Sequence, residues 1–117
     1  MDTTIYHNPR CSKSRATLEL ITGEGVEPSI VTYLETPPSR DELAEILQLL
    51  GVEAPEIIRF GESVAKELGL SPQDERTQSE WLELMVTNPI LMQRPIVVVG
   101  GERAAIGRPP EKVLDIL

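Results

Sequence analysis

Short β-branched runs alternate along this chain with longer stretches whose apolar residues recur every three or four positions. Thr3-Thr4-Ile5-Tyr6 is rich in strand formers, and His7-Asn8-Pro9 ends it as a turn. Cys11, Ser14, Leu18 and Ile21 then recur at helical spacing, so a first helix is predicted from Cys11 to Thr22, stopped by Gly23-Glu24-Gly25. Ser29 to Leu34 reads as a second strand, broken by Glu35-Thr36-Pro37-Pro38. A strand, a helix and a strand in so short a span predict a right-handed crossover with parallel strands.

The middle of the chain is helical in pattern. Ser39 with Glu42, and Thr77 with Glu80, are spaced as capping boxes, each followed by apolar residues: Leu43, Ile46 and Leu50 in one case, Trp81, Leu84 and Met85 in the other. Between them Ala54–Phe60 and Ser63–Leu68 suggest two shorter helical pieces, and Ser71-Pro72 a turn or helix start. After Asn88-Pro89, the run Pro95–Val99, the pair Gly100-Gly101 and the run Glu102–Ile106 predict an antiparallel hairpin. Residues 109–117 then place proline at a helix start and Val113, Leu114 and Leu117 at helical spacing.

The predicted order is β-α-β, a helical stretch of about 60 residues, then β-β-α. This is an α/β, thioredoxin-like three-layer arrangement with a mixed four-stranded sheet. We expect one domain over residues 1–117, with a helical insertion at about 39–90. In that arrangement the first strand delivers a residue to the start of the first helix, and here the residue is Cys11.

Composition narrows the function. A length of 117 residues suits one core. No apolar run approaches the roughly 20 residues that span a bilayer, and Met1-Asp2-Thr3-Thr4-Ile5-Tyr6 lacks the basic-then-apolar pattern of an export signal. A single cysteine forms no internal disulfide, so a reducing cytoplasm is the expected compartment and the membrane is not an expected partner. The net charge of −8 opposes a general affinity for nucleic acid. Against that field, any cluster of arginines is informative.

Cys11 sits where a helix start exposes unpaired N–H groups and positive potential, which stabilise a thiolate over a thiol. Arg10, Lys13 and Arg15 lie beside it in sequence and are candidates to add to the effect. The same N–H groups suit a small oxyanion. A thiolate and an oxyanion repel, so such a substrate needs further cations, and the planar fork of arginine matches tetrahedral oxyanions. Arg94, before the third strand, Arg108, after the hairpin, and Arg59, in the helical stretch, are the candidates to converge on Cys11.

Each has a plainer reading. A lone cysteine packs as a small hydrophobe, and only its place at a helix start favours a nucleophile. Arg59, taken alone, is a solvated surface charge, whereas Arg94 and Arg108 each adjoin a proline that fixes the local backbone. His7 is either a turn residue or a group that lends its proton or charge to the thiol. Ser14 is either a helix cap or part of the site, and Trp81 belongs to a core.

The sequence resembles the glutaredoxin-dependent arsenate reductases of bacteria. The resemblance runs through I-Y-H-N-P-R-C-S-K-S-R, Y-L-E-T-P-P-S-R-D-E-L, N-P-I-L-M-Q-R-P-I-V-V and G-R-P-P-E-K-V-L-D-I-L, which together cover nearly the whole chain. It implies Cys11 as the nucleophile, Arg59, Arg94 and Arg108 as oxyanion-binding residues, and His7 and Ser14 as supports for the thiolate. It also implies a cis bond before Pro95, arsenate as substrate, glutathione as co-substrate and glutaredoxin as protein partner, with no bound cofactor or metal. Two other functions share parts of this pattern. Spx-type regulators bind RNA polymerase and carry a C-x-x-C pair, but the second position here is Ser14. A general glutathione-dependent thiol oxidoreductase would need Cys11 without a role for the arginines.

Overall fold

Thr4, Ile5 and Tyr6 each find a strand on both sides. In the computed structural model, which describes residues 2–117, β1 (Thr3–His7) lies between a parallel β2 (Ser29–Thr32) and an antiparallel β3 (Ile96–Val99), with β4 (Arg103–Ile106) beyond, giving the order β2-β1-β3-β4. The predicted mixed four-stranded sheet of a thioredoxin-like fold is therefore present. Ile5 pairs with Ile30 on one side and Val97 on the other, and the central strands β1 and β3 are mostly buried while the edge strands β2 and β4 are partly or fully exposed.

The chain divides into two compact units: one runs up to Thr36 and resumes at Arg94–Leu117, and the other comprises Pro37–Gln93. In the first unit, α1 (Ser12–Gly23) and a C-terminal 3₁₀ helix (Pro110–Asp115) pack together against the sheet. Ile5, Ile21, Val97, Val99 and Val113 form this core, with Leu18, Val26, Ala105 and Leu117 packed around it. Burying side chains of this size contributes about 1.5–3 kcal/mol each.

Three details differ from expectation. The second strand stops at Thr32 rather than Leu34, because Glu35 and Thr36 both donate backbone N–H bonds to the Thr32 carbonyl and turn the chain. Tyr33 is fully buried inside that turn. The terminal helix is 3₁₀ rather than α, the tighter form that occurs in short pieces such as this one. In the hairpin, Gly100 and Gly101 take left-handed backbone (φ 61° and 66°), and Glu102 N–H closes on Val99 O at 3.1 Å. Pairing resumes at Arg103 opposite Val99, so Glu102 is left out of the ladder.

In the second unit both predicted capping boxes form. Ser39 Oγ accepts from Glu42 N–H at 3.1 Å while Glu42 accepts from Ser39 N–H at 3.0 Å, and Thr77 and Glu80 repeat the exchange. They start α2 (Arg40–Leu50) and α4 (Gln78–Thr87), which pack through Leu43, Ile46 and Leu47 and through Trp81, Leu82 and Met85. The two shorter pieces are a 3₁₀ turn at Ala54–Ile57 and α3 (Ser63–Glu67), while Ser71-Pro72 opens a turn. No helix among the described residues is long and apolar enough to cross a membrane.

Candidate functional site

The turn between β1 and α1 is held by Asn8. Its carbonyl accepts Cys11 N–H at 3.0 Å, its Oδ1 accepts Arg10 N–H at 3.0 Å, and its own N–H donates to Ser14 Oγ at 3.0 Å. These bonds place Cys11 as the N-cap of α1, in extended backbone (φ −93°, ψ 122°), with its thiol partly exposed. An Asn before a proline is legible as a turn. Its three-way hydrogen bonding is not, because that depends on Ser14 returning from the first turn of α1.

Burial pushes the Cys11 thiol pKa up, but the opposing groups prevail and its value lies below that of an ordinary cysteine. Those groups are the Ser14 N–H, the Arg94 side chain as hydrogen-bond donor, the Lys13 N–H and the Arg94 charge. Lys13 thus acts through its backbone, where the sequence suggested its ammonium group. Arg15 turns its guanidinium to the Pro9 carbonyl at 2.9 Å.

The hairpin explains why Arg94 and Arg108 meet at the sulfur. Ile96 pairs with Ile106 at its open end, Gly107 N–H donates to Pro95 O at 3.0 Å, and the two arginines flank that end. Arg108 Nε–H donates to Arg94 O at 2.7 Å, and its Nη2 lies 3.5 Å from Cys11 Sγ. The bonds before Pro95 and Pro109 are both cis. Gly107 is required for close approach: a Cβ there would collide with Thr17 Oγ1 and come within 2.8 Å of Pro95 Cγ.

His7 and Ser14 act as a pair. His7 Nδ1 and Ser14 Oγ share a hydrogen bond of 2.6 Å, and both residues are buried. Burial, and secondarily the charge of Arg15, lowers the His7 pKa, so the ring is neutral at pH 7. His7 therefore offers no charge to the thiolate; it holds Ser14, whose N–H faces the sulfur.

Arg59 belongs to the Pro37–Gln93 unit. Ile58 bridges Met92 in antiparallel fashion, with Arg59 N–H on Leu91 O and Gln93 N–H on Ile57 O, both at 2.8 Å. Its Nε donates to Glu62 Oε1 and its Nη1 to Gln93 Oε1, each at 3.0 Å. The solvated surface charge that its position alone suggests is instead a half-buried, doubly held guanidinium.

A sheet whose first strand leads through one turn to a single cysteine of lowered pKa at a helix start, faced by two guanidinium groups from a neighbouring hairpin, defines a thioredoxin-like protein with one thiol at the end of its sheet. The chain belongs to the ArsC family, whose sequence model matches residues 6–116. It is similar to the uncharacterized protein YfgD of Escherichia coli strain K12, at 51% identity over 114 residues, 97% of this chain and 94% of that one. An Escherichia coli arsenate reductase is 46% identical over 115 residues, 97% of this chain and 79% of the relative. Among solved structures, an arsenate reductase from Vibrio cholerae matches with a TM-score of 0.93 at 45% identity, covering 100% of this chain and 98% of the other.

Proposed function

We propose that this protein is an arsenate reductase in which Cys11 is the nucleophile and glutathione and glutaredoxin supply the remaining thiol chemistry. The observation that carries the reading is the Cys11 sulfur, partly exposed and lowered in pKa, with Arg94 and Arg108 directed at it. The likeness to arsenate reductases along nearly the whole chain supports arsenate as the oxyanion.

In this reading the Cys11 thiolate attacks arsenic, an As–S bond forms and one arsenate oxygen leaves as water. Glutathione then attacks the adduct. Over the full cycle two thiol sulfurs each give up one electron and join as a disulfide, while arsenic gains two electrons and departs as arsenite. Glutaredoxin clears the glutathione-bound sulfur by exchange, returning Cys11 to the thiol state. Arg94 and Arg108 offset the repulsion between a thiolate and an approaching anion and remain in place as charge builds on the oxygens, an arrangement worth several kcal/mol at comparable sites. A part for Arg59 in substrate binding rests on the sequence resemblance, and Arg59→Ala tests it by the KM for arsenate.

Coupled NADPH oxidation with arsenate, glutathione, glutathione reductase and glutaredoxin tests the reading. Turnover that requires all components and vanishes in Cys11→Ser is the expected result. Absence of turnover at every arsenate concentration would overturn it.

A further inference from the structure

Beside Cys11, and not lined by it, is a cleft of about 300 Å³ bounded by His7, Asn8, Pro9 and Arg10 on one side and Thr32, Leu34 and Glu35 on the other. That volume is at the lower end of small-molecule sites. The walls come from the turn after β1 and the turn after β2, so the parallel pairing of those strands, His7 beside Thr32, opens the cleft at the same sheet end that carries the thiol. Arg10 and Glu35 line it with opposite charges. Both are exposed, and among the described residues neither forms an ion pair with the other or with any third group. Leu34 adds an apolar surface, 39% exposed, and Thr32 a hydroxyl.

Two opposite charges that share a cleft without meeting are complementary to a ligand carrying both an ammonium and a carboxylate. We propose that this cleft seats a zwitterionic peptide thiol, with Glu35 receiving its ammonium group, Arg10 its carboxylate, and Leu34 its methylene chain, so that its sulfur is delivered to the neighbouring Cys11. The proposal rests on the thiol chemistry assigned to Cys11 above and places the co-substrate of that reaction. It does not depend on arsenate, because the same seat serves simple exchange. In that step the Cys11 thiolate attacks one sulfur of a disulfide, a mixed disulfide forms, and the other half leaves as a thiolate.

The test compares two disulfides on the intact protein: glutathione disulfide, which carries the zwitterionic groups, and hydroxyethyl disulfide, which is neutral. The second-order rate of mixed-disulfide formation at Cys11 is followed by mass spectrometry for the wild type, Glu35→Gln and Arg10→Gln. Solvent-exposed charge contacts are worth up to about 1 kcal/mol, so each variant is expected to slow reaction with glutathione disulfide by about fivefold. Reaction with hydroxyethyl disulfide should change less than about twofold on the same scale. Equal changes with both reagents, or no change with either, would overturn the cleft while leaving Cys11 reactive. A Cys11 inert to both would instead remove the thiol chemistry, and the cleft assignment with it.

Discussion

Arg108 reaches the Cys11 sulfur while leaning on the backbone of Arg94: its Nε–H is given to the Arg94 carbonyl at 2.7 Å, which leaves Nη2 at 3.5 Å from Sγ. The two guanidinium groups are therefore not independent charges that happen to lie near a thiol. One is oriented by the main chain of the other, and both are set by the hairpin between them.

That arrangement separates geometry from charge. Arg108→Lys keeps a cation but loses the Nε–H that fixes it, so kcat/KM for arsenate should fall by about a hundredfold, as when one donor is removed from a preorganised oxyanion site. Stability should change little. Arg94→Ala should lower activity and also raise the Cys11 pKa, since Arg94 contributes both a hydrogen bond and charge to the thiolate. Steady-state kinetics beside thiol titration distinguish the two variants.

The low pKa of Cys11 has a signature in both reactivity and stability. Alkylation by iodoacetamide against pH should show a midpoint below the ordinary value of about 8.5, moving upward in Arg94→Ala. For a thiol ionised more readily in the fold, the stabilisation is fully present above the unfolded value of about 8.5 and is lost as pH falls through the lower folded value. The stability gap between wild type and Cys11→Ser should thus widen as pH rises through that window and then level off.

His7 works on the acid side. Its folded pKa is lowered, so the unfolded chain binds more protons once pH drops below about 6.5, and stability falls as the medium becomes more acidic. Urea midpoints between pH 7.5 and 5 should decline more steeply for the wild type than for His7→Gln. Ser14→Ala strips the acceptor from the Asn8 N–H and the partner from His7 Nδ1, and leaving buried polar groups unmet should cost about 2–3 kcal/mol at neutral pH.

Gly107→Ala places a methyl group against Thr17 and Pro95. Overpacking of this kind costs about 1–3 kcal/mol, and because Arg108 is the next residue, arsenate turnover should fall further than stability alone explains. Thr17→Ala in the same chain relieves the collision and should restore part of both. Thermal unfolding and kinetics on the single and double variants check this.

Much of this was legible in the sequence. Ser39, Glu42, Thr77 and Glu80 carry their helix starts in local chemistry, and Gly100-Gly101 marks the hairpin because left-handed backbone suits glycine. Cys11 at the head of α1 was likewise readable from the turn before it and the spacing after it. Other features arise only when distant residues meet. α1 buries Thr17 as well as Ser14 and Ile21, a polar position that apolar periodicity passes over. The neutrality of His7 follows from desolvation, and the pairing of Arg59 with Glu62 and Gln93 needs residues 34 positions apart in the latter case.

Because Arg94 and Arg108 stand at the open end of one hairpin, their separation is measured across the ladder and not along the loop. Lengthening the bend at Gly100-Gly101 would alter the far tip and leave the grip on sulfur unchanged. Deleting a single residue within Ile96–Val99 or Arg103–Ile106 would slip the pleat by one and swing one guanidinium to the opposite side of the sheet. The hairpin behaves as a caliper whose jaws tolerate any handle but no lost notch.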